Sequence, residues 1–355
     1  MKNFFVLRNK KISVLYEKRS IKICLLMLLL TLISLILSIS IGKINISPLE
    51  VIKVFIGIGD KRDALIINAL RLPRALVGFL VGASLGLSGA ILQGVIKNPL
   101  ASPNLIGIVD GGSVGALIFL TLFTNPINNS LTVSIFYMPV FTFLSSLISV
   151  VIIYVLAYKK GVTPFRLILI GIGISGAAKA ITNILIVNGP PIFIATSNLW
   201  LTGTIYGSNW THVKVLSLWF IVFSFITYLY TRELNIQSLE DTISISLGTK
   251  LEKNRFMLLI LSAALASGAV AIGGGISFVG LIAPHICRKL TNSSFENLIP
   301  LSILVGGTIV VLSDIAARTL FYPLDLPVGI FTAAIGAPFF IFLLWKNQQT
   351  LRRGN

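Results

Sequence analysis

The chain has 355 residues, of which 55% are hydrophobic and only 12% are charged, and its mean hydropathy is +0.92. Soluble globular domains carry about 25% charged residues, so this composition excludes an ordinary water-soluble domain. The formal net charge of +17 does not indicate a nucleic-acid partner, because Lys and Arg stand between apolar runs instead of forming a basic polar surface. Composition therefore predicts an all-α, polytopic membrane protein.

Apolar runs predict about ten transmembrane helices, because a bilayer core of roughly 30 Å needs about 20 apolar residues per helix. The first run follows a basic stretch but exceeds the apolar part of a signal peptide, about 7 to 15 residues, so we predict a retained helix. The ten predicted spans are 23–42, 75–96, 104–124, 134–157, 166–187, 213–231, 256–273, 276–288, 298–317 and 327–345.

The basic residues predict the topology. Most of the 29 Lys and Arg residues lie in alternate connections, which the positive-inside rule assigns to the cytoplasm. Residues 1–22 and 347–355 are then cytoplasmic tails, and residues 23–346 form a single transmembrane domain in the cell (plasma or inner) membrane. The largest internal cytoplasmic loop is 232–255.

One uncharged stretch, from Phe256 to Cys287, is too long for a single span, since as one helix it would measure roughly 48 Å. Gly273, Gly274 and Gly275 stand in its middle and predict a break where the chain turns back. The second arm is too short to face lipid across the whole membrane. We therefore expect protein or a wet cavity to shield it.

The second predicted span carries a small residue at every fourth position. This ladder consists of Gly78, Gly82, Gly86, Ala90 and Gly94. Such a face lets another helix approach closely, which membrane bundles use in place of a hydrophobic driving force. Tight packing within the subunit and a pore-lining face are the two interpretations that the pattern leaves open.

Several short motifs occur in a fixed order along the chain. They are Arg71-Leu-Pro-Arg74, Asn98-Pro-Leu-Ala-Ser-Pro103, Trp200-Leu-Thr-Gly203, Gly275-Ile-Ser-Phe-Val-Gly-Leu-Ile-Ala-Pro-His285, Asp314-Ile-Ala-Ala-Arg318, and Leu326-Pro-Val-Gly329 with Gly336-Ala-Pro-Phe339. Taken together, they resemble the FecCD-type permeases of ABC importers, a family of siderophore, haem and vitamin B12 transporters. The resemblance extends from about residue 71 to residue 345.

This resemblance implies a type II ABC importer fold and several partners. These are a second permease subunit, identical or paralogous, a cytosolic ABC ATPase dimer and an extracytoplasmic substrate-binding protein. The chain has no Gly-x-x-x-x-Gly-Lys-Ser/Thr loop, so ATP and Mg are expected on the ATPase, with no enzymatic activity and no cofactor on this chain.

Substrate identity is left open by the sequence. A ferric siderophore is the expected substrate by resemblance, with haem or cobalamin as alternatives in the same family. An ion-coupled secondary transporter is the alternative from another class. It is disfavoured because only Asp110 and Asp314 lie near spans, whereas ion coupling generally uses carboxylates inside the membrane.

By resemblance, Arg71, Arg74 and Arg318 are the residues that meet acidic side chains of the binding protein. The charge-based topology separately places all three on the outer side. A guanidinium group suits this role, because its planar fork can donate two hydrogen bonds to one carboxylate. Interfacial anchoring to lipid phosphate is the alternative.

Residues 238–248, here called the coupling segment, resemble the helix that fits a groove in the ATPase. Ser238 and Asp241 are spaced as in a capping box, and apolar residues recur at four-residue spacing before Gly248. A plain amphipathic helix at the membrane surface is the alternative. The candidate coupling residues are Ser238, Leu239, Glu240, Asp241, Ile243, Leu247 and Gly248.

Lys179 is a basic residue well inside a predicted span, and Asn183 follows one turn later on the same face. A charge at that depth is costly and normally faces a wet cavity or a partner. We predict that both residues line the translocation pathway and that Lys179 attracts an anionic ferric chelate; snorkelling or a structural hydrogen bond is the alternative. His212 and His285 lack neighbouring ligands at metal-site spacing, so no metal site is predicted.

Overall fold

Helices make up nearly all the regular structure in the computed structural model, which describes residues 4–9, 12–42, 44–125, 130–159, 162–188, 197–291 and 294–353. The helices are α1 (Lys18–Ser40), α2 (Pro48–Ile56), α3 (Lys61–Ile66), α4 (Leu72–Ile96), α5 (Ile108–Phe123), α6 (Met138–Ala157), α7 (Pro164–Val187), α8 (Trp210–Leu229), α9 (Thr231–Gln237), α10 (Asp241–Ser246), α11 (Leu251–Gly273), α12 (Val279–Leu290), α13 (Phe295–Thr319) and α14 (Val328–Arg353).

In the described part of the chain, eight helical stretches are long and apolar enough to cross a membrane. The two other predicted spans, 104–124 and 276–288, correspond to shorter helices, α5 with 16 residues and α12 with 12. The prediction of an all-α bundle with about ten membrane helices is therefore confirmed. At 1.5 Å per residue, α12 measures roughly 18 Å, well short of the bilayer core.

The second membrane stretch begins earlier than predicted. α3 and α4 form one continuous helical stretch from Lys61 to Ile96, joined by a π-turn at Ile67–Arg71, whereas the predicted span began at residue 75. A proline such as Pro73 normally ends a helix, because its ring clashes with the carbonyl of the residue four positions earlier. The wider π-turn just before Pro73 lets the helix continue through it.

The predicted break after α11 is confirmed. α11 ends at Gly273, and Gly274 adopts the left-handed region with φ of +66°, where a Cβ atom would lie 1.9 Å from the carbonyl oxygen of Trp200. The Thr204 amide donates to the Gly273 carbonyl (3.0 Å), and the Gly329 amide donates to the Gly203 carbonyl (2.9 Å). Three motifs that are distant in sequence therefore meet at this turn.

The ladder of small residues on α4 packs against α13. A Cβ atom at Gly82 would lie 2.2 Å from the carbonyl oxygen of Gly306, and one at Gly86 would lie 2.4 Å from that of Ser302. Such separations are shorter than any real carbon contact, so both positions require glycine. Of the two interpretations of the ladder, the structure supports tight packing within the subunit.

Both predicted cytoplasmic tails contain regular secondary structure. The predicted tail 1–22 contains an antiparallel hairpin, β1 (Phe4–Asn9) and β2 (Ile12–Glu17), while residues 1–3 and 10–11 lie outside the described residues. At the other end, α14 continues to Arg353, so most of the predicted C-terminal tail 347–355 is helical.

We expect Gly82→Ala to destabilise the purified chain by about 1–3 kcal/mol, the usual range for overpacking a tight interior. Gly176→Ala is the matched control, since a Cβ atom at Gly176 meets nothing within 4 Å. Denaturant unfolding of both variants in detergent micelles measures the difference. Equal stability of the two variants would show that α4 and α13 do not make this close contact.

Candidate functional site

Three arginines that are far apart in sequence converge on one cavity. Arg71, Arg74 and Arg318 all line a cavity of about 490 Å³, together with Asp325 and the apolar side chains around it. We call these three arginines, with Asp314 and Asp325, the arginine cluster. Sequence analysis predicted that the arginines share one side of the protein, and the structure brings them into a single site.

Two aspartates neutralise part of this cluster. Arg74 Nη2 lies 2.7 Å from Asp314 Oδ1, and Arg74 Nη1 lies 2.7 Å from Asp325 Oδ2. Arg318 Nε lies 3.5 Å from Asp314 Oδ2. Asp314 is only 1% exposed, whereas Asp325 is 29% exposed, so the cluster has a buried inner carboxylate and an accessible outer one.

Arg71 has a different environment from the other two arginines. Its guanidinium group donates to the backbone carbonyls of Ile39 (2.7 Å) and Ser40 (2.9 Å), and also to that of Ile44. These acceptors satisfy the donors without neutralising the charge. With three arginines and two aspartates, the cluster retains one formal positive charge.

The coupling segment forms a short helix with an exposed apolar surface. α10 begins at Asp241, and Gly248 follows it in the left-handed region with φ of +75°, which ends the helix as predicted. Leu239, Ile243 and Leu247 are exposed by 42%, 46% and 58%. Apolar side chains presented this way fit a partner groove or a membrane surface.

The predicted capping box at Ser238 is wrong. α9 extends to Gln237, so the Ser238 hydroxyl donates back to the Asn235 carbonyl (2.6 Å) instead of capping the next helix. Glu240 occupies the N-cap position of α10 without a side-chain cap bond. The error arose because the sequence pattern does not reveal that a separate short helix precedes the segment.

Asp241 instead fixes the coupling segment to the bundle. It accepts a hydrogen bond from Lys97 Nζ (2.5 Å) and from Arg255 Nη2 (3.1 Å). Burial alone raises the pKa of the Asp241 carboxyl, but the Lys97 hydrogen bond and the Arg255 charge outweigh burial, so its pKa lies below the usual value. The carboxyl is therefore ionised at neutral pH.

Lys179 and Asn183 line a second cavity, of about 270 Å³, as their shared helix face predicts. The structure adds a counter-charge there, since Asp110 Oδ2 lies 3.7 Å from Lys179 Nζ and also accepts from the Ser175 hydroxyl. The Lys179 side chain is 67% exposed, so its ammonium group is accessible from the cavity.

The sequence did not indicate which carboxylates pair with the predicted basic residues. The four-residue spacing of Asp314 and Arg318 on one helix could have indicated an ion pair. No such local signal exists for Asp325 or Asp110, because their partners lie on other helices. Among the described residues, no group of three or more His, Cys, Asp or Glu side chains could hold a metal ion.

These features define a polytopic helical membrane protein with polar clusters at both ends of one central helix, α4. The chain belongs to the FecCD transport family, whose sequence model matches residues 29–346. The matched region begins within α1 and ends within α14.

Three relatives illustrate the similarity. The chain is 44% identical to the probable siderophore transport system permease protein YfhA of Bacillus subtilis strain 168, over 94% of this chain and 97% of the relative. It is 38% identical to the iron(3+)-hydroxamate import system permease protein FhuG of the same organism, over 90% and 95%. A solved inward-facing structure assigned to a metal-chelate type ABC transporter matches with a TM-score of 0.78 at 30% identity, covering 92% and 99%.

We expect Asp314→Asn to lower the free energy of unfolding by about 3 kcal/mol, because it leaves buried arginine charge without its counter-charge. Asp325→Asn, the matched control at the exposed end of the same network, should lower it by about 1 kcal/mol or less. Denaturant unfolding in micelles separates the two. Equal losses would contradict the division into inner and outer carboxylates.

Proposed function

We propose that this chain is the transmembrane channel subunit of an ATP-binding-cassette importer that takes up a ferric siderophore. The similarity to siderophore and iron-hydroxamate permeases over nearly the whole chain carries this proposal. In this proposal both tails of the chain lie in the cytoplasm. The partners are one cytosolic ABC ATPase dimer and one extracytoplasmic binding protein. A second permease subunit, identical or paralogous, forms the other half of the channel.

The arginine cluster is the proposed docking site for the binding protein. Arg71, whose hydrogen-bond acceptors are neutral carbonyls, and Arg318, which shares Asp314 with Arg74, carry the residual positive charge of the cluster. A carboxylate on the binding protein would therefore be attracted to the mouth of the cavity. Electrostatic attraction of this kind raises the association rate and depends on salt concentration.

The coupling segment is the proposed contact with the ATPase. Its exposed apolar side chains lie on a short helix that is tied to two long membrane helices through Asp241. A helix that presents apolar residues to a groove is a recurring recognition mode. Movement of the ATPase would then reach the membrane bundle through this segment.

Lys179 and Asn183 are the proposed pathway residues. The exposed ammonium group of Lys179 would attract an anionic ferric chelate, while Asp110 moderates that attraction. Asn183 supplies a neutral polar group in the same cavity. A moderated charge lets the chelate enter without being held.

Competitive uptake in cells lacking the chain tests the proposed function. Labelled ferric hydroxamate, ferric citrate, haem and cobalamin are supplied with and without restoration of the gene. We expect restoration of iron-chelate uptake that is abolished when the ATPase subunit cannot bind ATP. Uptake of haem or cobalamin alone would indicate the family alternative, and uptake independent of the ATPase would indicate a secondary transporter.

At the docking site, Arg71→Glu should weaken binding-protein affinity about tenfold or more, in keeping with 1.5–3 kcal/mol for a charged hydrogen bond. It should also flatten the salt dependence of binding. Arg62→Glu makes the same charge change on the exposed surface of α3 and should have a smaller effect. Titration of the labelled binding protein onto the permease in nanodiscs measures both; equal effects would place docking elsewhere.

At the coupling segment, Leu239→Asp should reduce binding-protein-stimulated ATP hydrolysis about tenfold or more, because a charge would enter an apolar groove. Leu239→Met, which keeps the apolar contact, should preserve most of the stimulation. The assay uses the complete complex in proteoliposomes. Full stimulation with Leu239→Asp would favour the membrane-surface alternative.

In the second cavity, Lys179→Gln should raise the KM for uptake of an anionic ferric chelate several-fold, roughly the effect of one lost attractive contact. Asp110→Asn removes the negative charge beside Lys179 and should therefore lower the KM for the anionic chelate. A neutral ferric trihydroxamate serves as the control substrate and should respond little. Identical KM values for the anionic chelate in all three proteins would eliminate this role for Lys179.

A further inference from the structure

The helix α4 joins the two proposed partner sites directly. Arg74 of the arginine cluster lies in its first turn, and Lys97, at its C-cap, reaches the coupling segment. The 25 residues of α4 correspond to roughly 37 Å at 1.5 Å per residue. In the most apolar 18-residue stretch of Lys61–Ile96, 83% of the residues are buried, so neighbouring helices surround most of α4.

Lys97 has an unusual backbone conformation. Its φ of 53° and ψ of 33° lie in the left-handed region, and among the described residues only Lys97 and Phe278 combine a positive φ with a side chain. Glycine is the residue that best tolerates this conformation at the end of a helix. A lysine there keeps an unfavourable backbone geometry and gains an ammonium group at the position where Asp241 accepts its hydrogen bond.

Arg255 approaches the same carboxylate from the other side. Its side chain is 1% exposed and contacts both oxygens of Asp241, at 3.1 Å and 3.3 Å. It also donates to the Val162 carbonyl (2.7 Å) and lies 3.3 Å from Glu252 Oε1. The coupling segment is therefore held between the end of α4 and the beginning of α11.

Other contacts reinforce this arrangement. Tyr154 on α6 donates to Glu252 (2.8 Å), and the buried Ser244 of α10 donates to the Ile236 carbonyl (2.8 Å). The apolar side chains of Leu239, Ile243 and Leu247 are exposed, whereas Asp241 and Ser244 bind inward. Such a segment cannot shift relative to α4 and α11 without breaking charged hydrogen bonds.

We infer that Lys97 and Arg255 are positioning residues that transmit movement between the coupling segment and the helices α4 and α11 through Asp241. This inference rests on the proposed function, because it assigns a mechanical role to the segment that would contact the ATPase. Lys97 joins the segment to the helix that carries the arginine cluster. Arg255 joins it to the helix that ends at the Gly273 turn.

Lys97→Gly tests the inference, because glycine fits the left-handed backbone of position 97 and removes the side chain with its ammonium group. In the complete complex in proteoliposomes, basal ATP hydrolysis and binding-protein affinity should stay within about twofold of the unmodified protein. Ferric trihydroxamate transported per ATP hydrolysed should fall about fivefold or more. Lys97→Arg, which restores a cationic donor, should recover most of that ratio.

Lys250→Gly is the matched control, because it removes an exposed charge beside the coupling segment but outside the contact with Asp241. It should leave the transport ratio unchanged. A double variant, Lys97→Gly with Asp241→Asn, should be no worse than the poorer single variant, since both changes remove the same contact.

An unchanged transport ratio in Lys97→Gly would overturn the inference, and so would additive effects in the double variant. Failure of the proposed function gives a different result. In that case the unmodified chain shows no ATP-dependent transport and no stimulation of an ATPase, before any variant is compared.

Discussion

The close backbone contact between α4 and its neighbours is the constraint on which the rest of the structure depends. Lipid tails are as apolar as the helices themselves, so helices gain little from hiding apolar surface and associate through dense packing and hydrogen bonds. Gly82 and Gly306 bring α4 and α13 into backbone contact, and the hydroxyls of Ser88 and Ser262 lie 2.8 Å apart between α4 and α11. These contacts fix α4 at the centre of the bundle.

On α4, the charged groups lie where this packing ends. The arginine cluster is at the first turn of α4 and the contact of Lys97 with Asp241 is at its C-terminal end, while the helix between them is uncharged. Burying an isolated charge in this setting would be prohibitive, and the guanidinium groups of Arg71, Arg74 and Arg255 have carboxylate or carbonyl partners. A densely packed, uncharged helix that ends in two ionic networks is suited to move as a unit.

Hydrophobic length and charge were sufficient to predict where the chain crosses the membrane, because both follow from the thickness and dielectric of the bilayer, but they did not predict the early start of the second span at Lys61. The break at Gly273 was predictable for the same reason, as the uncharged stretch was too long to cross once. Local sequence could not predict that a π-turn carries the helix through Pro73, since proline normally ends helices.

The pairing of basic residues with carboxylates was also beyond local patterns. Arg74 pairs with Asp325, and Lys97 pairs with Asp241. These residues are far apart in sequence, and only the tertiary fold brings them together. The coupling segment shows one success and one failure of local patterns. Its exposed apolar residues and its terminal Gly248 were predicted correctly. The role of Ser238 was not, because the hydroxyl had a nearer acceptor in the preceding helix.

The shortness of α12 has a consequence for biogenesis. Its 12 residues include Pro284 and carry Arg288 and Lys289 in the last turn, so the segment has too little apolar length to partition into lipid on its own. Its side chains from Val279 to Pro284 are buried against other helices. We therefore expect α12 to enter the membrane together with the helices that bury it.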